Sequence, residues 1–339
     1  MQSVVWGCHQ MLHNVKVLLT KAIMQTVTLG VGGPRVRALG VGTWAWGDTL
    51  FWDYGKSFGE SEVAGAFQAS LAAGITFFDT AEVYGLGASE RLLGRFSQQT
   101  QQPVQIATKY FPLPWRWRRG AIANALTASL DRLQMSEICL YQIHWPLEFW
   151  LKTPDFMEVL AAEVKQGRIQ AVGVSNYSAK QMSLAHGCLA AKGIPLATNQ
   201  VPYSLLNRAI EHNGTLEQAR QLGVTILAYS PLAQGLLTGK YTAETLPDLQ
   251  GARRLNPRFT PQGLKKLAPL ISTLQQIGEK YDRNPAQVAL NWLITQGNVL
   301  PIAGAKNADQ AQQNAGALGW SLSPDEVDRL GSIGLSATV

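Results

Sequence analysis

Charged residues, cysteine and histidine are all scarce in this chain of 339 residues. Only 15% of the residues are charged, whereas 46% are hydrophobic, which allows a sizeable core. The three cysteines (Cys8, Cys139 and Cys188) are scattered, odd in number and without the spacing of metal ligands. We therefore expect no bound metal, and we expect Cys139 and Cys188 to be small buried residues in a reducing compartment.

Long apolar runs are also absent. None reaches the roughly 18 residues that span a bilayer, so we expect no membrane partner and a cytoplasmic protein, or a protein of the plastid stroma if the host is a plant or alga. No acidic residue precedes Asp48, but the N-terminus lacks the composition of a transit peptide or a secretory signal. We predict that residues 1–23 are a disordered extension, with Met24 as the natural start, and that residues 24–339 form one domain. A metal site built from Cys8, His9 and His13 is the weaker alternative.

Basic residues outnumber acidic ones, which gives a net charge of +6. Such a balance could favour nucleic acid, and it suits an anionic small ligand such as a dinucleotide phosphate equally well. The segment Trp115–Arg119 alternates aromatic and basic residues, a pattern found in proteins that bind single strands. Because the segment lies between a predicted strand and a predicted helix, we interpret it as the exposed rim of a loop. We expect no nucleic-acid partner.

Short β-branched runs alternate with helical patterns from Met24 onward. The predicted strands are Val36–Trp44, Ile75–Ala81, Val104–Tyr110, Ile138–Trp145, Ile169–Ser175, Ala197–Val201, Thr225–Ser230 and Val299–Ala303. The predicted helices cover residues 61–73, 89–98, 118–133, 155–166, 178–190, 212–222, 264–296 (in two pieces, broken near Pro285) and 307–317. Eight strand-then-helix units predict a closed α/β barrel, the (β/α)8 or TIM fold.

Two additions to a bare barrel are expected. Met24–Gly32 is predicted to form a hairpin that closes the barrel bottom, and Ser323–Ile333 an extra C-terminal helix with Ser323 as its N-cap. The long segment 231–263 is predicted to be a functional loop. The alternative fold, an open doubly wound sheet, requires a Gly-x-Gly-x-x-Gly turn after the first strand, and Gly40-Val-Gly42 has no such continuation.

Four polar residues stand where buried strands give way to loops: Asp79, Tyr84, Lys109 and His144. Each alone has an ordinary structural explanation, such as a cap, a rim aromatic or a core histidine. In a parallel barrel, however, the carboxyl ends of the strands meet on one face. Asp79, Lys109 and His144 end three neighbouring predicted strands, and Tyr84 follows Asp79 on the same loop. We therefore expect the four side chains to lie together.

A positive charge on Lys109 would make the Tyr84 phenol more acidic. Lowering a tyrosine pKa from about 10 to near 7 takes about 4 kcal/mol, and an ammonium about 4 Å away supplies about that at an effective dielectric near 20. Asp79 would keep Lys109 charged and oriented, and His144 would hydrogen-bond a substrate oxygen. The four residues predict a site that donates a proton.

The second half of the barrel is predicted to hold a partner that delivers electrons. Ser175, Asn176 and Gln200 end two strands and could bind a carboxamide, and Tyr229, followed by Ser230 and Leu232, could stack on a nicotinamide ring. Phosphate groups often bind in the loops after the seventh and eighth strands of such barrels. The candidates after the eighth strand are Gly304, Lys306, Gln310, Gln313 and Asn314.

On these residues the chain resembles the aldo-keto reductases, over about residues 25 to 335. The resemblance implies Tyr84 as proton donor, Lys109 as the group that adjusts its pKa, Asp79 as the partner of the lysine and His144 as the residue that orients the substrate. It also implies that Ser175, Asn176 and Gln200 bind the nicotinamide amide above Tyr229. By the same resemblance, Gly42, Thr43 and Trp44 lie beside cofactor and substrate, and Gln234, Gly235 and Lys240 help to hold the pyrophosphate.

The chain departs from one part of the family pattern. Many members have Lys-Ser after the eighth strand and an arginine six residues beyond that lysine. Here those positions are Gly304, Ala305 and Gln310, and the basic group is Lys306. This arrangement resembles a branch that includes plastid and cyanobacterial members. By the resemblance, Lys306 could still contact an adenosine 2′-phosphate, so NADP(H) is the expected cofactor, although the missing arginine weakens the preference for NADP over NAD.

The resemblance implies a monomeric NADPH-dependent carbonyl reductase that acts on a small aldehyde or ketone. A regulatory or redox-sensing subunit with bound cofactor and slow turnover is the alternative. A metal-dependent barrel hydrolase would need a His-x-His pair within Leu39–Gly47, which has none. The substrate pocket is expected in the aromatic and basic loops Gly47–Gly59 (with Trp46 before it), Phe111–Arg119 and Pro231–Phe259.

Overall fold

The computed structural model describes residues 25–246, 249, 253–254 and 256–336. The predictions for residues 1–23, for Met24 as the start and for a metal site at Cys8, His9 and His13 lie outside the described residues. Within the described part of the chain, no helix is long and apolar enough to cross a membrane.

Eight parallel strands close into a barrel, which confirms the predicted fold. The strands are β3 (Gly40–Gly42), β4 (Phe77–Asp79), β5 (Gln105–Tyr110), β6 (Ile138–Ile143), β7 (Ile169–Ser175), β8 (Leu196–Pro202), β9 (Thr225–Tyr229) and β10 (Val299–Gly304). Neighbours in sequence are neighbours in the sheet, and β10 pairs with β3 to close it. The register sets Gly42 beside Asp79 and Asp79 beside Ala107.

The barrel strands are hydrophobic because both of their faces are covered. A cluster that includes Phe77, Ala107, Leu140 and Leu227 fills the lower barrel interior. The outward residues pack against the helices in a second, larger cluster. Polar side chains on the inner face, such as Gln142 and Lys109, are therefore conspicuous, and both are fully buried.

The helices cover the outside of the barrel. They span Glu60–Ala72, Ala88–Gln98, Gly120–Leu133, Thr153–Lys165, Ala179–Ala190, Ala209–His212, Thr215–Leu222, Pro261–Tyr281, Pro285–Ile294, Ala308–Ala315 and Pro324–Ser336. Short 3-10 turns occupy Tyr84–Gly87, Ala233–Thr238 and Pro257–Phe259. Pro285 begins a new helix after the Asn284 cap, which explains the break predicted there. Ser323 caps the C-terminal helix through a bond from the Glu326 amide, as expected.

The predicted first strand, Val36–Trp44, is wrong in extent. Arg35–Arg37 (β2) pairs antiparallel with Thr26–Thr28 (β1) to form the hairpin at the barrel bottom. Only Gly40–Gly42 remains to pair with β4 and β10, because the chain then turns into a loop. The predicted helix 212–222 begins too early: the helix there spans Thr215–Leu222, and His212 ends a separate short helix, Ala209–His212. Gly214, with φ of 81°, separates them.

Candidate active site

The carboxyl ends of β4, β5 and β6 bring the four predicted polar residues to one face of the barrel. Asp79 is the last residue of β4, Lys109 lies near the end of β5, and His144 directly follows β6. Tyr84 begins the 3-10 turn after β4. The backbone N–H of His144 donates to the Tyr110 carbonyl at 2.9 Å, which extends the strand pairing up to the site.

Lys109 is a buried ammonium held by two oxygens. Its Nζ donates to Asp79 Oδ1 at 2.5 Å and to the Thr80 carbonyl at 2.6 Å. Side-chain exposure is 0% for Lys109 and 3% for Asp79, so the pair is shielded from solvent. Burial lowers the pKa of Lys109, and the Asp79 carboxylate opposes that effect. Breaking so buried a pair by removing one partner costs roughly 3–5 kcal/mol.

The second oxygen of Asp79 also has partners. Oδ2 accepts hydrogen bonds from Gln200 Nε2 at 2.7 Å and from Gln142 Nε2 at 3.2 Å. Gln142 was not among the predicted site residues, although an amide in an apolar strand, two residues before His144, was a usable signal. Thr80 was missed as well, because its contribution is a backbone carbonyl. These contacts fix the Asp79 carboxylate and therefore the direction of the Lys109 ammonium.

Tyr84 lies within reach of the ammonium. Its hydroxyl is 3.5 Å from Lys109 Nζ, and Nζ is 5.0 Å from the centre of the phenol ring. Burial raises the pKa of Tyr84 well above its usual value, and the negative charge of Asp79 adds to that. The expectation of a phenol with a pKa near 7 is therefore wrong in direction for the protein alone, because desolvation of the phenolate and the negative charge of Asp79 both raise the pKa. Tyr84 stays protonated at neutral pH.

His144 is a neutral imidazole. Its ring lies edge-on to the rings of Tyr84 (5.8 Å between centroids) and Phe111 (5.4 Å). Burial, together with the positive charge of Lys109, lowers the pKa of His144 to about 2. Nδ1 is buried and has no hydrogen-bond partner among the described residues. The ring lines the cleft, so a neutral imidazole is available there to exchange a hydrogen bond with a ligand.

A cleft of about 960 Å³ opens over these residues and runs across the carboxyl ends of the strands to β10. Asp79, Tyr84 and His144 line one end of it, whereas Lys109 lies beneath the surface. All seventeen residues predicted to contact the cofactor also line the cleft: Gly42, Thr43, Trp44, Ser175, Asn176, Gln200, Tyr229, Ser230, Leu232, Gln234, Gly235, Lys240, Gly304, Lys306, Gln310, Gln313 and Asn314.

The residues predicted to bind a carboxamide form a connected network in the middle of the cleft. Asn176 Nδ2 donates to the His144 carbonyl and to Ser175 Oγ, at 3.2 and 3.1 Å. The Tyr229 hydroxyl donates to Asn176 Oδ1 at 3.1 Å, and Ser175 Oγ donates to the Gln200 carbonyl at 2.9 Å. Asn176 has a left-handed φ of 62°, a strained conformation that such contacts maintain. The network fixes the Tyr229 ring at the wall of the cleft.

The loop after β9 has an unusual backbone. Ser230, Ala233 and Gln234 all have φ between 49° and 59°, and Gly235 has φ of 99°. Left-handed residues in such runs turn backbone N–H groups toward one side and create concavities that bind anions. Opposite this loop, Lys306 N–H donates to Gln310 Oε1, and Asn314 Nδ2 donates to the Gly304 carbonyl.

Three cations line this far end of the cleft: Lys240, Arg253 and Lys306. Lys306 Nζ lies over the rings of Trp52 (4.8 Å) and Phe58 (4.4 Å). Burial lowers the pKa of Lys306 to about 8, and the positive charges of Arg253 and Lys240 add to that. Arg253 was not among the predicted residues, because nothing in the loop composition distinguishes it from its neighbours. Its Nε donates to the Gln234 carbonyl at 3.1 Å.

Aromatic side chains form the wall at the Tyr84 end. The rings that line the cleft there are Trp44, Phe51, Phe111 and Trp145. Trp46, which was expected near the pocket, belongs instead to the core: it is 0% exposed, and its Nε1 donates to the Ala305 carbonyl. Of the predicted loop rim, Trp115 and Trp117 are largely exposed, whereas Arg116 pairs with Glu82.

Comparisons with known proteins agree with this geometry. A sequence profile described as the Aldo/keto reductase family matches residues 38–334. The chloroplastic pyridoxal reductase of Arabidopsis thaliana is 39% identical over 308 residues, covering 87% of this chain and 82% of the relative. An uncharacterised oxidoreductase of Mycobacterium tuberculosis is 40% identical, covering 89% and 90%.

Solved structures give the same result. A glycerol dehydrogenase from Gluconobacter oxydans superposes with a TM-score of 0.79 at 29% identity, covering 91% of this chain and 94% of that one. An aldo-keto reductase from Klebsiella pneumoniae, crystallised with NADPH, superposes with a TM-score of 0.71 at 27% identity and the same coverage. Profile, relatives, fold and site together show that this chain belongs to the aldo/keto reductase family of oxidoreductases.

Proposed function

We propose that the protein reduces an aldehyde or ketone with NADPH, with Tyr84 as the proton donor. The observation that carries this proposal is the Tyr84 hydroxyl at 3.5 Å from an ammonium that Asp79 holds at 2.5 Å, beside a cleft of about 960 Å³. Family membership and the NADPH complex of the Klebsiella pneumoniae neighbour support it.

The residues of the cleft fit a nicotinamide dinucleotide along its whole length. Ser175, Asn176 and Gln200 offer amide and hydroxyl groups for the carboxamide beside the Tyr229 ring. The left-handed loop with Gln234, Gly235 and Lys240 offers a concavity for the pyrophosphate, and Gln310, Gln313 and Asn314 line the adenosine end. Gly42, Thr43 and Trp44 would flank the nicotinamide.

The cluster of cations favours NADP over NAD. Burial is the main cause of the lowered pKa of Lys306, and repulsion from the positive charges of Arg253 and Lys240 adds to it. A 2′-phosphate brought to this end would relieve that repulsion. Arg253 thus supplies a guanidinium at this end of the cleft, although position 310 is a glutamine. We therefore propose that Lys306 and Arg253 contact the 2′-phosphate.

When bound, NADPH supplies the electron pair that reduces the carbonyl carbon. The protein's own residues manage the oxygen. Tyr84 is protonated at neutral pH and passes its proton to the carbonyl oxygen. Lys109 stabilises the phenolate that this transfer leaves, and Asp79 anchors Lys109. His144, being neutral, orients the oxygen by a hydrogen bond without competing as an acid.

We further propose that the substrate is a flat aromatic aldehyde. The cleft wall near Tyr84 is built from the rings of Trp44, Phe51, Phe111 and Trp145. The positive charge of Lys109 is already paired with the Asp79 carboxylate, so this end of the cleft offers a substrate mainly aromatic contacts. Aromatic faces favour stacked or edge-on contact with a flat ring. Pyridoxal, on which the Arabidopsis relative is named as acting, is the first compound to test.

The test is a panel of aromatic and aliphatic carbonyl compounds, followed by loss of NADPH absorbance, with NADH alongside. Tyr84→Phe is expected to lower turnover by at least ~10²-fold while NADPH binding, measured by quenching of tryptophan fluorescence, is nearly unchanged. Undiminished turnover in this variant would remove Tyr84 from its role. Tight NADPH binding with slow turnover on every carbonyl would instead favour a regulatory subunit.

The oligomeric state and the cellular location of the enzyme can also be proposed. We propose a monomer, which light scattering on the purified chain would check. We also propose a cytoplasmic location, or the plastid stroma in a plant or alga, where the chloroplastic name of the Arabidopsis relative points. A fluorescent fusion to the full chain tests this, and a signal on membranes or outside the cell would contradict it.

A further inference from the structure

A partly buried ion pair that the proposed reaction does not use lies directly behind the active site. Arg116 Nη1 donates to Glu82 Oε1 at 2.5 Å, and Arg116 Nη2 donates to Glu82 Oε2 at 3.0 Å, so the contact is a two-point fork. The side chains are 23% and 7% exposed. A forked arginine–carboxylate pair fixes the orientation of both groups more strictly than a single contact does.

The pair joins two loops that line the cleft. Glu82 lies two residues before Tyr84, and its N–H donates to the Lys109 carbonyl at 3.4 Å. Glu82 Oε1 also accepts the backbone N–H of Phe111 at 2.7 Å, and Arg116 Nη1 donates to the Phe111 carbonyl at 3.1 Å. One carboxylate and one guanidinium therefore hold both polar groups of the Phe111 backbone.

Phe111 in turn contacts His144. The two rings meet edge-on with their centroids 5.4 Å apart, and the centroid of the Tyr84 ring is 5.8 Å from that of His144. Any shift of the loop after β4 or of the loop after β5 thus changes the space between Tyr84 and His144, where a carbonyl oxygen would lie. The contacts of Glu82 with the Phe111 backbone and with Arg116 make its contribution geometric.

We propose that the Glu82–Arg116 pair is a positioning device, which sets the separation of Tyr84 and His144 by locking the two loops together. This inference rests on the proposed function, since it concerns the geometry of that reaction. Displacements of about 1 Å in such a site can lower the rate about 10²-fold. Neither residue of the pair lines the cleft, so neither is expected to contact substrate or cofactor.

The same loop provides a matched control. Arg119 lies three residues after Arg116 and also makes two bonds to a carboxylate, from Nη2 (2.5 Å) and Nε (3.0 Å) to Asp155 Oδ1. The Arg119 side chain is 58% exposed, and Asp155 belongs to the helix Thr153–Lys165 rather than to a cleft loop. Exposed pairs of this kind contribute little, roughly 0–1 kcal/mol.

The experiment compares Glu82→Gln, Arg116→Met, Arg116→Lys and Arg119→Met in the full chain, with pyridoxal or the best aldehyde of the panel. The measurements are kcat, KM, NADPH affinity by fluorescence, thermal midpoint and the isotope effect with NADPH deuterated at C4. We expect kcat to fall about tenfold to 10²-fold in Glu82→Gln and Arg116→Met, with a larger isotope effect and NADPH affinity within about twofold of the parent. Arg119→Met should match the parent.

Arg116→Lys separates geometry from charge. Lysine keeps the positive charge but not the planar fork, so we expect a near-normal thermal midpoint and a kcat still about tenfold low. This variant also keeps the test decisive if Arg116→Met does not fold. Full kcat in Arg116→Lys, or an equal loss in Arg119→Met, would overturn the inference. An inactive parent would overturn the proposed function instead, whereas an active parent with unaffected pair variants would overturn the positioning role alone.

Discussion

Replacing Lys109 by methionine tests the electrostatic core of the proposed site. At 3.5 Å and an effective dielectric of about 20, the ammonium stabilises a full negative charge on the Tyr84 oxygen by about 5 kcal/mol. If roughly half of that charge has formed in the transition state, the loss is about 2–3 kcal/mol, which corresponds to a decrease in kcat of about 10²-fold. Methionine keeps much of the length and none of the charge.

The Lys109→Met replacement also destabilises the protein, and this effect must be separated from the loss of the ammonium in the reaction. It leaves the Asp79 carboxylate buried without its ammonium, which costs roughly 3–5 kcal/mol of folding stability and raises the energy of any phenolate nearby. Asp79→Asn/Lys109→Met removes both charges together. The double variant should regain most of the stability. Its kcat should stay below the parent because the ammonium is still missing, but by less than the about 10²-fold of the ammonium alone, because the opposing charge of Asp79 is gone as well.

The assay is single-turnover reduction with saturating NADPH, followed by absorbance, with urea unfolding of each variant alongside. Saturation excludes cofactor binding from the observed rate, and the unfolding curves confirm that the protein is native at the assay temperature. A double variant that reacts within about threefold of the parent would refute the reasoning, since a threefold change is less than 1 kcal/mol. The ammonium would then have no electrostatic part in the reaction.

Three further predictions concern pH and packing. A bound phosphate raises the lowered pKa of Lys306, so NADPH affinity should be highest below about pH 8 and should fall as the pH rises above it. Lys306→Arg, which stays charged, should flatten that profile in fluorescence titrations. The same decline in affinity with NADH would exclude the 2′-phosphate as the partner of Lys306. His144, with a pKa of about 2, should give kcat/KM no inflection near pH 6.5, and an inflection there that disappears in His144→Gln would contradict a neutral ring. Gly94→Ala should destabilise the protein by about 1–3 kcal/mol in urea unfolding, because a Cβ there would lie 2.5 Å from the Arg132 carbonyl oxygen. The control Gly187→Ala, in a helix with open space around the position, should stabilise it by about 0.5–1 kcal/mol.

The barrel itself was predictable because its signal is periodic and local. Apolar runs such as Ile138–Ile143 alternate with helical patterns, and both faces of a parallel strand must be covered. The errors in the predicted strand boundaries lie where pairing with another strand, and not the local apolar pattern, decides where a strand ends. Val36–Trp44 is one continuous run in sequence, but Arg35–Arg37 finds its partner in the hairpin and only Gly40–Gly42 joins the barrel.

The candidate site was predictable in its members and not in its contacts. Asp79, Lys109 and His144 could be predicted as site residues because each lies at a strand end, and a parallel barrel brings such ends to one face. The contacts of Asp79 with Gln142, and the cation at Arg253, depend on side chains that are distant in the chain. The local sequence does not indicate which side chains, distant along the chain, come into contact in the fold.

The amino-acid sequence by itself thus determined the eight-unit barrel, the face on which the polar residues gather and the family. Only the tertiary structure decided the protonation of Tyr84. Its phenol was expected to be acidic because of Lys109, yet burial and Asp79 raise its pKa instead. The physical reason is that desolvation depends on everything packed around a group, whereas a sequence motif names only the group and its neighbours.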